Sequence, residues 1–340
     1  MAKPLARRTT IRAAAVAALI CFLAIIPLLF HSRYHLHVLI VVFLNVVWAS
    51  TYRLVLRTGQ LHFGHHAFIA LGAYTSAVLM LEFGVPILVS ILLAGFAGLV
   101  FAILLGYPSL RVKAVYFAII TWGAAEVLRF VFMRVDHPFG GTTGLSGIPR
   151  PNDFAIPLLG ITVDWQSKGP FYALALTLML GALLALYRLE YSRFGLIFNA
   201  IRERDFLAQS VGINIMRYKV FAFAVCGSLA SMAGALYANY VTVVTPFDFS
   251  VTLLILLGSY ILVGGMTQFA GPILGTCLMI ISSELLSGYP FFKMMLYSGL
   301  IIAAMLFLPN GLLGLPKSIS VAVGRVRSRA SPALRGERDA

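Results

Sequence analysis

Charge is what this chain has least of. Of its 340 residues only 11% are Asp, Glu, Lys or Arg, and only 12 are acidic. A soluble domain carries about 25% charged residues, so the composition excludes an ordinary water-facing globule. Cysteine is scarce as well. Cys21, Cys226 and Cys277 each stand alone in an apolar run, with no CxxC pair. That leaves no basis for a disulfide framework or a thiolate zinc site. The sequence contains no GxxxxGK[ST], no HExxH and no GxSxG, so P-loop ATP hydrolysis, zinc proteolysis and serine-hydrolase chemistry have no support. Gly140-Gly141-Thr142-Thr143-Gly144 is glycine-rich but lacks the phosphate-binding lysine. No catalytic set and no cofactor site can be assembled.

What is abundant is hydrophobicity: 60% of residues are apolar and the mean hydropathy is +0.92. This composition predicts an all-α, polytopic transmembrane helix bundle. Ten candidate spans can be read, near 11–31, 36–56, 66–82, 84–106, 115–133, 170–187, 218–240, 251–264, 269–287 and 294–313. Several are short for a crossing of about 20 residues, so the expected count is eight to ten. The first run is longer than a signal-peptide core and lacks a small-residue cleavage site, which favours a retained span.

The net charge of +14 is not a nucleic-acid signature, because the basic residues sit at span ends and in loops. With both termini inside, 20 of the 26 Lys and Arg fall on the cytoplasmic side, the direction the positive-inside rule requires. The expected domains are a membrane-spanning body over 1–316 and a basic, non-periodic tail over 317–340 that could touch anionic lipid. Two loops stand out. Residues 134–169, with four glycines between Gly140 and Gly147 and four prolines, read as an ordered outer feature. Residues 188–219 carry six basic residues with Glu190, Glu203 and Asp205, and read as a water-facing cytoplasmic loop suited to a partner. Ten spans would divide into two inverted sets of five. Gly72-Ala73-Tyr74 and Gly258-Ser259-Tyr260 would then occupy matching positions.

Charges inside spans are costly and therefore informative. Glu126 and Arg129 lie three apart, on one helix face, where they can pair. They could line a polar path or latch one helix to another. Glu284 has no cation nearby in sequence. His62, His65 and His66 have a spacing that can bind metal, but no carboxylate or thiol accompanies them; a loop-to-span boundary is the plainer reading. Gly264-Gly265 and Gly271-Pro272 are candidate helix breaks near a solute path, or sites of close helix packing.

Four segments together resemble a known family. They are Phe63-Gly64-His65-His66-Ala67-Phe68 with Leu71-Gly72-Ala73-Tyr74; Tyr116-Phe117-Ala118-Ile119 with Glu126-Val127-Leu128-Arg129; Gly140 through Pro149; and Ser192 through Lys219. Over about 45–315 the chain resembles the integral-membrane permease of bacterial ATP-binding-cassette importers for branched-chain amino acids. The resemblance implies a multi-pass protein of the bacterial inner membrane with no enzymatic activity of its own. Its implied partners are cytoplasmic ATPase subunits, a second permease subunit and an extracytoplasmic solute-binding protein. It also implies a coupling helix in the cytoplasmic loop, here about 198–212. Phe198, Ile201, Ala208 and Val211 would form its apolar arc, Arg202 and Glu203 its polar flank, and Gly212 its end. Three other readings stay open: a related permease for urea, an amide or a sugar; a self-sufficient secondary transporter or channel, with Glu126 and Glu284 the acidic candidates for ion coupling; or a purely structural membrane scaffold.

Overall fold

The computed structural model describes residues 33–112, 114–150, 154–156, 161–163, 165 and 167–286, together with Leu23 and scattered positions from 288 to 312. The expected first span, apart from Leu23, and the tail after 316 lie outside the described residues, and the span at 294–313 is described only in part.

Among the described residues, six helices are long and apolar enough to cross a membrane. They are α1 (Arg33–Leu56), α2 (His65–Phe83), α3 (Ile87–Ser109), α4 (Ala114–Arg134), α5 (Gly169–Glu190) and α8 (Ile215–Val241). Between α5 and α8 lie the shorter α6 (Arg193–Glu203) and α7 (Asp205–Ser210), and after α8 come α9 (Val251–Gly264) and α10 (Gly271–Leu285). The expected spans agree with these helices to within a few residues. Helix ends obey local chemistry. Gly84 closes α2 in the left-handed region at φ 61, and Pro86 caps the start of α3. Asn214 caps α8, its Oδ1 accepting the Arg217 N–H at 3.1 Å.

The helices alternate in direction. Arg53, near the end of α1, meets Glu190 at the end of α5 and Met266 just after α9. At the opposite pole the Tyr34 hydroxyl donates to Glu284, near the end of α10, at 2.6 Å, and His37 meets Tyr240 near the end of α8, also at 2.6 Å. So α1, α5 and α9 run one way, and α8 and α10 the other. Glu284, without a cation nearby in sequence, thus sits at the Tyr34 pole.

The core is a close triple of α2, α3 and α8. A Cβ on Gly72 would lie 2.0 Å from the Ser231 carbonyl oxygen, and one on Gly98 would lie 2.5 Å from that of Gly227. Apolar side chains gain nothing by leaving lipid, so helix association in a membrane rests on such close approach and on polar contacts between helices. Here the Ser231 hydroxyl donates to the Phe68 carbonyl at 2.7 Å, and the Asn239 amide donates to the Ser76 hydroxyl at 2.9 Å. By contrast Gly258 has open space where Gly72 has backbone. The two matched triplets therefore sit in unlike surroundings.

The 134–169 segment is ordered where it is described. The strand β1 (Leu145–Ser146) pairs antiparallel with β4 (Val243–Val244), and β2 (Phe154–Ile156) pairs with β3 (Ile161–Val163). Gly144, at φ 73, brings its backbone so near the Val244 carbonyl that a Cβ would lie 2.1 Å away. The glycine cluster of the sequence thus clamps the loop to the segment after α8.

Candidate functional site

The most built polar region lies at the Arg53 pole. The chain turns from α5 into α6 within two residues, and Gly195 makes this possible, since a Cβ there would collide with the Glu190 carbonyl. Ser192 caps α6, its Oγ accepting the Phe194 N–H at 3.2 Å. One face of α6 then packs down into the bundle. Phe198 joins Leu54, Leu186 and Ala222 in a buried cluster, and Ile201 is buried beside it.

Beneath this helix sits a charged hub. Arg53 donates from Nη1 and Nη2 to the two Glu190 carboxylate oxygens at 2.8 and 3.0 Å. Its Nε donates to the Met266 carbonyl at 2.8 Å, and Nη2 also reaches the Thr267 carbonyl at 3.3 Å. Arg57 bonds Glu190 as well, and its Nη2 donates to the Asn199 side-chain carbonyl on α6 at 2.8 Å. The Arg53 side chain is 3% exposed and that of Glu190 9%. Burial draws the Arg57 guanidinium below its ordinary pKa, and Glu190 opposes that shift. Paired, bidentate geometry is what makes a buried charge tolerable. The sequence places Glu190 in a water-facing loop; the structure corrects this to a buried anchor. Glu190 is one of three acids among the loop's cations, and its partners lie more than 130 residues away in sequence.

The expected single helix over 198–212 is corrected too. Arg204 takes an extended conformation at φ −153, ψ 95, which splits the segment into α6 and α7. Phe198, Ile201 and Ala208 are buried, as the apolar arc required. Val211 is not: it is 75% exposed, because the break at Arg204 turns α7 and its end away from the line of α6. Phe206 at 76% and Leu207 at 55% join it, forming an apolar patch on the outer side of α7. Arg202 and Glu203 are exposed on the flank. Gly212 stops α7 at φ 85, its N–H donating to the Gln209 carbonyl and that of Ile213 to Ala208, the double closure that a left-handed glycine permits.

The candidates inside the spans take up quieter positions. Arg129 Nε donates to Glu126 Oε2 at 2.8 Å, and His66 Nε2 lies 3.8 Å from Oε1. Both charged side chains are about one-fifth exposed, on the seam between α2 and α4. His62 and His65 are buried among Tyr52, Phe68, Phe117 and Phe223. Among the described residues no His, Cys, Asp and Glu group converges as a metal site would. Gly264 and Gly265 do end α9, and Pro272 opens α10. A Cβ on Gly264 would overlap the Gly271 carbonyl, so these glycines also make a tight helical hairpin. An apolar cavity of about 510 Å³ lies along α9, lined by Tyr52, Phe63, Trp122, Leu254 and Gly258 among others.

Known proteins share much of this chain. Residues 34–308 match the family described as "Branched-chain amino acid transport system / permease component". The chain is 30% identical over 272 residues to the high-affinity branched-chain amino acid transport system permease protein LivM of Salmonella typhimurium, covering 75% of this chain and 64% of that protein. It is 29% identical to the Escherichia coli protein of the same name, with the same coverage. It is 25% identical over 248 residues to a probable LivM of Methanocaldococcus jannaschii, covering 68% of this chain and 69% of that one. The match therefore spans under two thirds of the length of the two bacterial relatives. No solved structure is significantly similar.

Proposed function

This chain belongs to the family of permease components of branched-chain amino acid transport systems, and on that footing we propose that it is the membrane-spanning subunit of an ATP-binding-cassette importer. It carries no ATPase of its own. Cytoplasmic ATPase subunits supply the energy, a second permease subunit completes the pore, and an extracytoplasmic binding protein delivers the solute, a branched-chain or related amino acid. The protein lies in the bacterial inner membrane with the Arg53 pole and both termini on the cytoplasmic side, in keeping with the bias of Lys and Arg.

The observation that carries this reading is the build of α6 and α7. One face is sunk into the bundle by Phe198, Ile201 and Ala208 and tied by Asn199 to Arg57. The other presents Phe206, Leu207 and Val211 to solvent at the polar pole. An element that is anchored on one side and apolar on the other suits the transfer of rigid-body motion from a partner to the helices. Gentle extraction of the tagged chain, with mass spectrometry of the proteins that co-purify, tests it. A stoichiometric P-loop ATPase and a second permease support the proposal. A chain that purifies alone and moves solute in liposomes without ATP overturns it.

A further inference from the structure

At the Arg53 pole three connections between helices meet over one small cavity. The turn after α1, the turn between α3 and α4, and the break between α6 and α7 enclose about 250 Å³ together with Lys219 of α8. Lys219 is only 8% exposed, yet among the described residues its ammonium makes no hydrogen bond and no ion pair. Gln60, 4% exposed, lines the same cavity, and its side-chain carbonyl accepts no hydrogen bond. A buried charge is costly unless it is paired, and a lysine ammonium has three hydrogen bonds to give. We propose that Lys219 is one half of a latch: the start of α7 swings about Arg204 into the cavity, and the Asp205 carboxylate closes on the Lys219 ammonium.

Charge decides which group closes on which. The cavity is lined by Arg202, Glu203, Arg204, Asp205 and Lys219, and among the described residues none of these is in an ion pair. All but Lys219 are exposed, where water and salt screen them. Lys219 alone is buried, so it has the most to gain from a partner. Of the two acids, Asp205 is the one near enough to act on it electrostatically. The residue between Val112 and Ala114 of the lining is Lys113; its charge has the same sign and supplies no counter-ion. The Asp205 carboxylate is held by one bond, Oδ1 accepting the N–H of its neighbour Phe206 at 2.9 Å. Movement needs a hinge, and Arg204 is already extended between two helices. Helix α7 has six residues, of which Ala208 alone is buried, so little holds it in its present seating. Closing the latch exchanges a screened surface carboxylate for a charge-assisted pair. It also draws the Phe206 end of α7 toward the bundle, so a push on that exposed patch is passed to α8. A lysine that merely snorkelled its ammonium to water beside a span end would need no acid, and this is the alternative the experiment separates.

The latch does not rest on the transport proposal; only its use in uptake does. Native membranes holding the tagged full-length chain are treated with a carbodiimide, which joins a lysine to a carboxylate in direct contact and leaves no spacer. Mass spectrometry of the digested chain then reads the product. The expected product is an isopeptide link between Lys219 and Asp205, absent in Lys219→Gln. Lys219→Gln and Asp205→Asn should each lower ATP-driven uptake about tenfold, the loss expected for one charged hydrogen-bond partner. Neither should lower the melting temperature, because neither breaks a pair made in the open seating. The exchanged variant Lys219→Asp/Asp205→Lys should recover uptake. No link, a link from Lys219 to Glu203 or to another protein, or no recovery in the exchanged variant overturns the latch. A Lys219–Asp205 link in a chain that moves no solute upholds the latch and sinks the transport proposal alone; ATP-driven uptake without the link does the reverse.

Discussion

Arg53 and Glu190 face each other fork to fork, with two bonds of 2.8 and 3.0 Å between residues 137 positions apart. Through Arg53 the pair also holds the carbonyls of Met266 and Thr267. One buried carboxylate therefore gathers the end of α1, the end of α5 and the turn after α9 directly beneath α6.

Removing either partner strands a buried charge. Glu190→Ala should cost about 3–5 kcal/mol of stability, the usual penalty for breaking a buried pair from one side. Arg53→Lys should also lose stability, because an ammonium cannot reproduce the fork or reach the two backbone carbonyls as well. Thermal unfolding of the purified chain in detergent measures both. An unchanged melting temperature for Glu190→Ala would refute the anchoring role.

The glycines divide into two sets with opposite expected responses. Gly72→Ala puts a Cβ against the Ser231 carbonyl and should abolish recovery of folded protein. Gly123 also lies in a helix, but a Cβ there meets nothing within 4 Å. Gly123→Ala should be tolerated, and even stabilising by up to about 1 kcal/mol through helix propensity. Size-exclusion profiles of detergent extracts distinguish the two outcomes.

At Gly212 the constraint is backbone conformation alone, for φ is 85 and no atom crowds the Cβ position. Gly212→Ala should cost about 1 kcal/mol, confined to the turn after α7, and should reduce solute uptake more than bundle stability. Gly212→Asn should behave nearly as wild type, since asparagine tolerates the left-handed region. Uptake measured beside melting temperature for both variants checks this.

The exposed patch on α7 should matter to a partner and not to the fold. Phe206→Asp and Val211→Asp are expected to leave the melting temperature unchanged while the proposed ATPase partner no longer co-purifies. Phe198→Ala, which hollows the buried cluster on the other side of the same segment, should instead lower stability by about 3–5 kcal/mol.

Much of this architecture is written in local pattern. Span positions come from apolar runs, the Glu126–Arg129 pair from a spacing of three, and the stops at Gly212 and Gly264 from glycine itself. The features that escape are non-local. Glu190 looks like any loop acid until the fold brings Arg53 and Arg57 to it. Arg204 breaks its helix although arginine is a good helix former, so tertiary context overrides propensity there. The ring contacts that run from Trp165 through Phe171 and Tyr240 to His37 join three separate segments, and no sequence window contains them.

Between α2, α3 and α8 backbone comes close to backbone: Gly72 to the Ser231 carbonyl, Gly98 to that of Gly227 and Gly234 to that of Ile69. Side chains are the compliant part of a protein interface, because rotamers can shift to absorb a displacement. Where backbone meets backbone that slack is missing, so a turn of one of these helices presses directly on its neighbours. Helix α4 is the counterpart, with only 28% of its most apolar stretch buried. It is pinned where the Thr121 carbonyl meets Gly64 and where Phe132 stacks on Tyr74, so the rest of its length is the part of the bundle with the fewest neighbours to displace.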